Sequence, residues 1–108
     1  MSLWAEYIAD RKQEIIEHDF GFLSFSVADD AVFIQDCFVT KSARGTGLAQ
    51  SLVKQLEEIA KARGCKRIVA NVVPEMVHAT EAMRISIKNG FRLFASDTKY
   101  IWMQKEIE

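Results

Sequence analysis

An α/β fold, a mixed sheet flanked by helices, follows from three features of this chain. Short apolar runs with β-type composition are interleaved with stretches of helical period. Glycines at 45, 47, 64 and 90 punctuate the helical stretches, and the chain's one proline, Pro74, ends an apolar run. One helical stretch lies between two β-type runs, the arrangement that joins parallel strands.

The elements are predicted in order α-β-β-α-β-α-β-β. Ser2 caps a helix over Leu3 to about Lys12, with Trp4, Tyr7 and Ile8 near helical spacing and Trp4 and Tyr7 as its core-facing anchors. Ile15 and Ile16 lie at the start of the next element, and Glu17-His18-Asp19 reads as a solvated segment. Phe20, Phe22, Ser24 and Ser26 alternate with Gly21, Leu23, Phe25 and Val27, giving an aromatic-rich strand. A turn at Ala28-Asp29-Asp30 leads into a second strand, Ala31 to Val39. After the glycine loop, Leu48, Leu52, Val53, Leu56, Ile59 and Ala60 line one helix face, and Gly64 closes that helix. Lys66 to Val73 reads as a buried strand parallel to the one before the loop. A helix from about Met76 to Lys88 carries Ala79, Ala82, Met83 and Ser86 on one face and stops at Asn89-Gly90. Phe91–Ala95 and Lys99–Lys105 form a last hairpin about Ser96-Asp97-Thr98, with Trp102 as packing.

With 108 residues the chain is read as one domain, residues 1–108, large enough for a core. Hydrophobic residues are 49% and charged residues 27%, which excludes a disordered chain. A net charge of −1 argues against nucleic acid as the main partner, although Lys41, Arg44, Lys61, Arg63, Lys66 and Arg67 flank one helix. Cys37, Cys65, His18 and His78 lack the spacing of a zinc site, so no metal is expected, and both thiols read as buried and free in a reducing compartment. No apolar run spans a bilayer and no signal pattern opens the chain. The reading is a cytoplasmic protein with no membrane partner.

The stretch that carries chemistry is Phe38-Val-Thr-Lys-Ser-Ala-Arg-Gly-Thr-Gly-Leu-Ala-Gln-Ser-Leu52. A strand ends, two glycines sit one residue apart, and a helix begins. Such a loop aims several backbone N–H groups and the positive end of a helix dipole at one point, a seat for a phosphate or diphosphate. The alternative is a plain strand-to-helix connection that uses glycine for geometry.

Arg44-x-x-Gly47-x-Ala49, the strand Ile34–Val39 before it, the strand reaching Asn71 and the later Lys88-Asn-Gly-Phe91 together resemble the GNAT superfamily of acyl-CoA-dependent N-acetyltransferases, over about Gly21 to Lys105. The resemblance implies acetyl-CoA as cosubstrate, its pyrophosphate held by the amides of Arg44, Gly45, Thr46, Gly47, Leu48 and Ala49, where a β-carbon on either glycine would push the phosphates away. It implies that Ala31–Val39 and Lys66–Val73 splay apart and admit the pantetheine arm. Backbone groups near Phe38 and Val39 would then meet that arm, and an N–H there would stabilise the oxyanion. The acceptor would be an amine of a small molecule or a protein.

The chain departs from the family at the acid and base. The family's strand glutamate falls on Gln35, which takes no proton, and its helix tyrosine falls on Ser86. A further family position, often asparagine, is Ala79. Asp36, Ser86 and Asn71 are the catalytic candidates, with Asp36 as base, Ser86 as weak acid or water-holder and Asn71 as hydrogen-bonder. Strand alternation directs Asp36 to the sheet face opposite Gln35. His78, Tyr100 and Cys37 are lesser candidates, against a helix-start, a packing and a thiol without a base. Family members commonly carry a further strand and a helix pair before the matched region, where this chain has one helix, so a homodimer is expected to wall the acceptor side. Two other functions stay open: a noncatalytic acyl-CoA-binding module and a structural protein that keeps only the fold.

Overall fold

Alternation along two aromatic-rich strands sets the middle of the molecule. In the computed structural model, β2 (Gly21–Ala28) pairs antiparallel with β3 (Ala31–Val39), and Leu23, Phe25 and Val32 turn to one face, all but fully buried. Helix α2 (Leu48–Ala62) covers that face with Leu52, Leu56 and Ala60, each fully buried. Ile68 of β4 (Arg67–Val72) and Met103 of β6 (Ile101–Glu106) complete the core with Cys65 and Phe91. Burying each large aliphatic side chain contributes about 1.5–3 kcal/mol, so this one face supplies most of the fold's driving force.

The structure describes residues 3–72, 84, 86–97 and 99–107, and of Trp4, Ala5, Ile8 and Val72 the backbone. Helix α1 (Leu3–Asp10) is followed by β1 (Glu14–His18), and β5 (Arg92–Ser96) precedes β6. The sheet order is β1-β2-β3-β4-β6-β5, with β3 and β4 parallel through the α2 crossover and every other neighbour antiparallel. The parallel pair and both hairpins agree with the sequence reading. Residues 84 and 86–88 are helical, where the second long helix was expected; its earlier part, with His78 and Ala79, lies outside the described residues, as do Pro74 before it and Thr98.

Three expectations need correction. The sheet has six strands, and the added one, β1, takes in Glu17 and His18, which the sequence suggests are solvated chain. Its five residues hold two adjacent isoleucines between charged ends, and only Ile16 packs on the core, opposite Leu23, so period-two alternation never shows. Charge on an edge strand is a common guard against pairing with other chains. Tyr7 is not a core anchor: it is half exposed and its hydroxyl accepts from Arg11 at 2.9 Å; the Trp4 side chain lies outside the described residues. Cys65 is buried, but Cys37 is exposed.

Candidate active site

β3 and β4 run side by side only through Ala31–Phe33 and Arg67–Val69. Beyond these pairs β3 continues six residues to Val39, held by β2, and β4 continues to Val72, held by β6. The two strands therefore part in the middle of the sheet, and among the described residues each keeps an unpaired edge toward the gap. The glycine loop begins at the end of β3, at the mouth of this gap.

A 3-10 turn at Lys41–Ala43 and a second turn carry the chain from Thr40 into α2. Gly45 and Gly47 have φ of +80° and +87°, a region that strains any residue with a β-carbon. A β-carbon on either would meet no protein atom within 4 Å, so the space above both is open to a ligand. Two of the six expected amides are turned inward: Arg44 N–H donates to the Lys41 carbonyl and Thr46 N–H to the Ala43 carbonyl, both at 3.4 Å. The amides of Gly45, Gly47, Leu48 and Ala49 have no partner among the described residues. The first bond of α2 runs from Ser51 N–H to the Gly47 carbonyl at 3.0 Å, and no side chain caps the helix, which leaves its first amides and dipole end facing outward. The residues present thus fit a diphosphate. A surface cleft of about 430 Å³ lies against the loop, lined by Ala43, Thr46, Gly47 and Leu48 and walled by His18 and Phe20. No sequence signal marks His18 for this position, which follows from the β1–β2 turn.

The end of β3 is sorted by its pairing. The Phe38 carbonyl leans on β2, where a β-carbon on Gly21 would stand 2.5 Å from it, and Thr40 N–H donates to the Phe20 carbonyl at 2.8 Å. Antiparallel alternation then turns the main chain of Val39 toward the gap. Its carbonyl accepts from Arg44 Nε at 3.2 Å. Of the two expected backbone contacts, Val39 has the right edge and Phe38 offers its side chain, half exposed and 6.1 Å from the Phe22 ring.

The register of β2 and β3 shifts by one residue between Ser24 and Phe25: Ser24 pairs with Asp36, but Phe25 pairs with Ile34. Gln35 is the extra residue, a β-bulge. Phe25 and Ile34 share the core face, and Ser24 and Asp36 share the other. Gln35 Nε2 donates to Ser26 Oγ at 2.8 Å, which puts Gln35 on that other face too. The expectation that Asp36 and Gln35 point to opposite faces is therefore wrong, because the bulge breaks the alternation on which it rests. Asn71 lies on β4 two residues after Val69, the partner of Phe33, so it shares this face across the gap, exposed. Ser86 is half-buried at the end of a helical turn, and its carbonyl accepts from Asn89 and Phe91 N–H at 3.1 and 2.9 Å. Asp36 and Asn71 are thus brought to one sheet face on the two splayed strands; Ser86 belongs to a separate element.

Cys37 is exposed as a residue, but its surroundings desolvate the thiol, which together with the neighbouring Asp36 carboxylate pushes it up from its ordinary range and makes it a poor nucleophile. Tyr100 is half-buried with its ring 5.6 Å from Trp102, the packing role the sequence suggested. Sequence reasoning missed Ser24. It is fully buried, and its Oγ has no hydrogen-bond partner among the described residues. Such a hydroxyl costs about 1–3 kcal/mol.

The fold has relatives. The model of the acetyltransferase (GNAT) family matches residues 6–85. Glucosamine 6-phosphate N-acetyltransferase 1 of Oryza sativa subsp. japonica is 40% identical over 43 residues, 40% of this chain and 26% of that protein. The PaiA N-acetyltransferase of Thermoplasma acidophilum, solved in complex with coenzyme A, superposes with a TM-score of 0.74 at 17% identity, over 81% of this chain and 53% of that one. An IAA acetyltransferase of Bacillus cereus ATCC 14579 gives a TM-score of 0.78 at 14% identity, over 98% of this chain and 85% of that one. The chain thus spans about a quarter of the rice protein and about half of the Thermoplasma one. With the family model covering most of its length, the chain belongs to the GNAT family of acetyltransferases.

Proposed function

We propose that this chain is an acetyl-CoA-dependent N-acetyltransferase, built as one domain over residues 1–108. The observation that carries the reading is the gap between β3 and β4, open from Ile34 onward and ending at a glycine loop with outward amides. When bound, acetyl-CoA supplies the activated acetyl group. The amides of Gly45, Gly47, Leu48 and Ala49 hold its diphosphate, with Arg44 and Thr46 shaping the loop. The open edge of β3 receives the pantetheine amides as a neighbouring strand would, and Val39 N–H faces the thioester oxygen, where a donor fixed in advance lowers the barrier. Asp36 accepts the proton of the acceptor amine, and Asn71 orients that amine from across the gap. Ser86 gives the departing thiolate a proton only weakly, since a serine hydroxyl is a poor acid.

The acceptor is an amine. The rice relative's name points to an amino-sugar phosphate, which belongs in the first panel of acceptors. A cytoplasmic homodimer is part of the proposal. β5, at the sheet edge, is exposed along its whole length with Leu93 and Phe94 outward, a surface suited to a second copy.

Incubation with acetyl-CoA and a panel of amines, reading released thiol, tests the activity; turnover with at least one acceptor is expected. One observation favours a second reading, a binding module without transfer: Gln35 stands at the family's glutamate position and is tied to Ser26. Acetyl-CoA that raises the melting temperature while no amine releases thiol would select that reading. At a hundredfold excess over Kd the stabilisation is about 2.7 kcal/mol.

A further inference from the structure

We propose that Ser24 is a positioning residue for Asp36: its buried hydroxyl donates to the Asp36 carboxylate and holds it toward the gap when acetyl-CoA is bound. The inference rests on the acetyltransferase reading and deepens it.

Three observations meet here. Ser24 is fully buried with an unpartnered Oγ among the described residues, so it has a proton to donate and nothing described to receive it. Asp36 stands directly opposite it in the β2–β3 ladder. Directly opposed residues on one face have β-carbons about 4.5–5.5 Å apart, which a serine hydroxyl and an aspartate carboxylate span with a change of rotamer. Among the described residues the remaining neighbours on the face are taken or apolar: Ile15 stands opposite Ser24 on β1, Ser26 Oγ accepts from Gln35 at 2.8 Å, and the tilted rings of Phe22 and Phe38 lie on the other side.

The bulge makes the pairing specific. Without Gln35 as an extra residue, Ser24 would oppose Gln35, and Asp36 would oppose Leu23 on the core face. The inserted residue moves the carboxylate onto the face of the gap and sets it against a hydroxyl. In this structure Asp36 is exposed and the bond is open. Filling the gap between β3 and β4 removes solvent from the carboxylate, and a charge-assisted bond to Ser24 then replaces lost hydration. Held this way, one Asp36 oxygen accepts from Ser24 and the other is left to take the amine proton.

A double-mutant cycle tests this with Ser24→Ala, Asp36→Ala and the double variant, each melted in saturating acetyl-CoA. Ser24→Ala is expected to lower the midpoint by several degrees in the native background and to raise it in the Asp36→Ala background, where the buried hydroxyl has lost its acceptor. Equal shifts in both backgrounds, or a rise in both, would overturn the proposal, since removing an unpartnered buried hydroxyl does that by itself. A crystal structure of the acetyl-CoA complex is a second test. Ser24 Oγ is expected within about 3 Å of an Asp36 oxygen, and a wide separation there overturns the proposal. Calorimetry on the wild type separates the failures. No heat with acetyl-CoA overturns the acetyltransferase reading and this inference with it, whereas heat with additive midpoints overturns this inference alone.

Discussion

Gln35 and Asp36 are adjacent, yet only Asp36 can take a proton, and the bulge turns both to the face across which Asn71 lies. Asp36→Asn keeps size and hydrogen bonding but not basicity. It is expected to lower the rate of thiol release by about 10²–10⁴-fold and to leave acetyl-CoA affinity unchanged, measured by turnover and calorimetry on the same samples. The sequence offers a carboxylate at Asp36, and the resemblance implies that Gln35 and Ser86 stand at the family's glutamate and tyrosine positions. It did not show which face the carboxylate takes. Alternation is a rule about one strand, whereas a bulge is a relation between two, set by the Ser24–Asp36 and Phe25–Ile34 pairs. Ser24 was hidden for the same reason, since nothing in an alternating Phe-Leu-Ser-Phe run marks a hydroxyl that ends up buried without a partner among the described residues.

The strand, loop and helix from Ala31 to Ala62 were legible as elements, because aliphatic spacing and paired glycines are local signals. The division of labour within the loop was not. Whether an amide faces out or bonds back depends on turn geometry, and Arg44 and Thr46 bond back. β1 was illegible because an edge strand with one core contact carries almost no periodicity. The junction of β2 with the end of β3 supplies a further test. Gly21 is buried where a β-carbon would stand 2.5 Å from the Phe38 carbonyl and 3.3 Å from Leu48 Cδ2. Gly21→Ala is expected to destabilise the protein by about 1–3 kcal/mol in urea unfolding, as overpacking does. It should also weaken acetyl-CoA binding, because it pushes the end of β3 and the start of α2 apart.

Across the whole molecule, the edge strand β1 is fastened to α2 by a bidentate pair. Arg63 donates to both Glu14 oxygens, with Nη2 to Oε1 at 2.6 Å, and its guanidinium lies 5.8 Å from the Phe25 ring. The Arg63 bond holds the Glu14 carboxyl below its usual value of 4.5, against a smaller opposing effect of desolvation. Arg63 is itself pushed further up by Glu14 and stays charged throughout. A lowered carboxyl pKa in the folded state means that the pair's stabilisation is present above the unfolded value and is lost as pH falls through the folded one. Both side chains are 42–47% exposed, so the contribution is no more than about 1 kcal/mol. Glu14→Gln is expected to unfold at lower urea than the wild type at pH 7, and the difference should narrow as the pH falls below 4.5.

Binding and transfer both depend on a diphosphate seat at the amides of Gly45, Gly47, Leu48 and Ala49. Gly47→Glu adds bulk and negative charge at that seat, in space where a β-carbon meets no protein atom within 4 Å. The positive φ costs about 1–2 kcal/mol and leaves the fold in place. Calorimetric titration of acetyl-CoA into the two natively folded proteins is the direct test. Saturable heat is expected from the wild type and none from Gly47→Glu; no heat from the wild type, or equal affinity in the variant, would contradict a diphosphate seat at these amides.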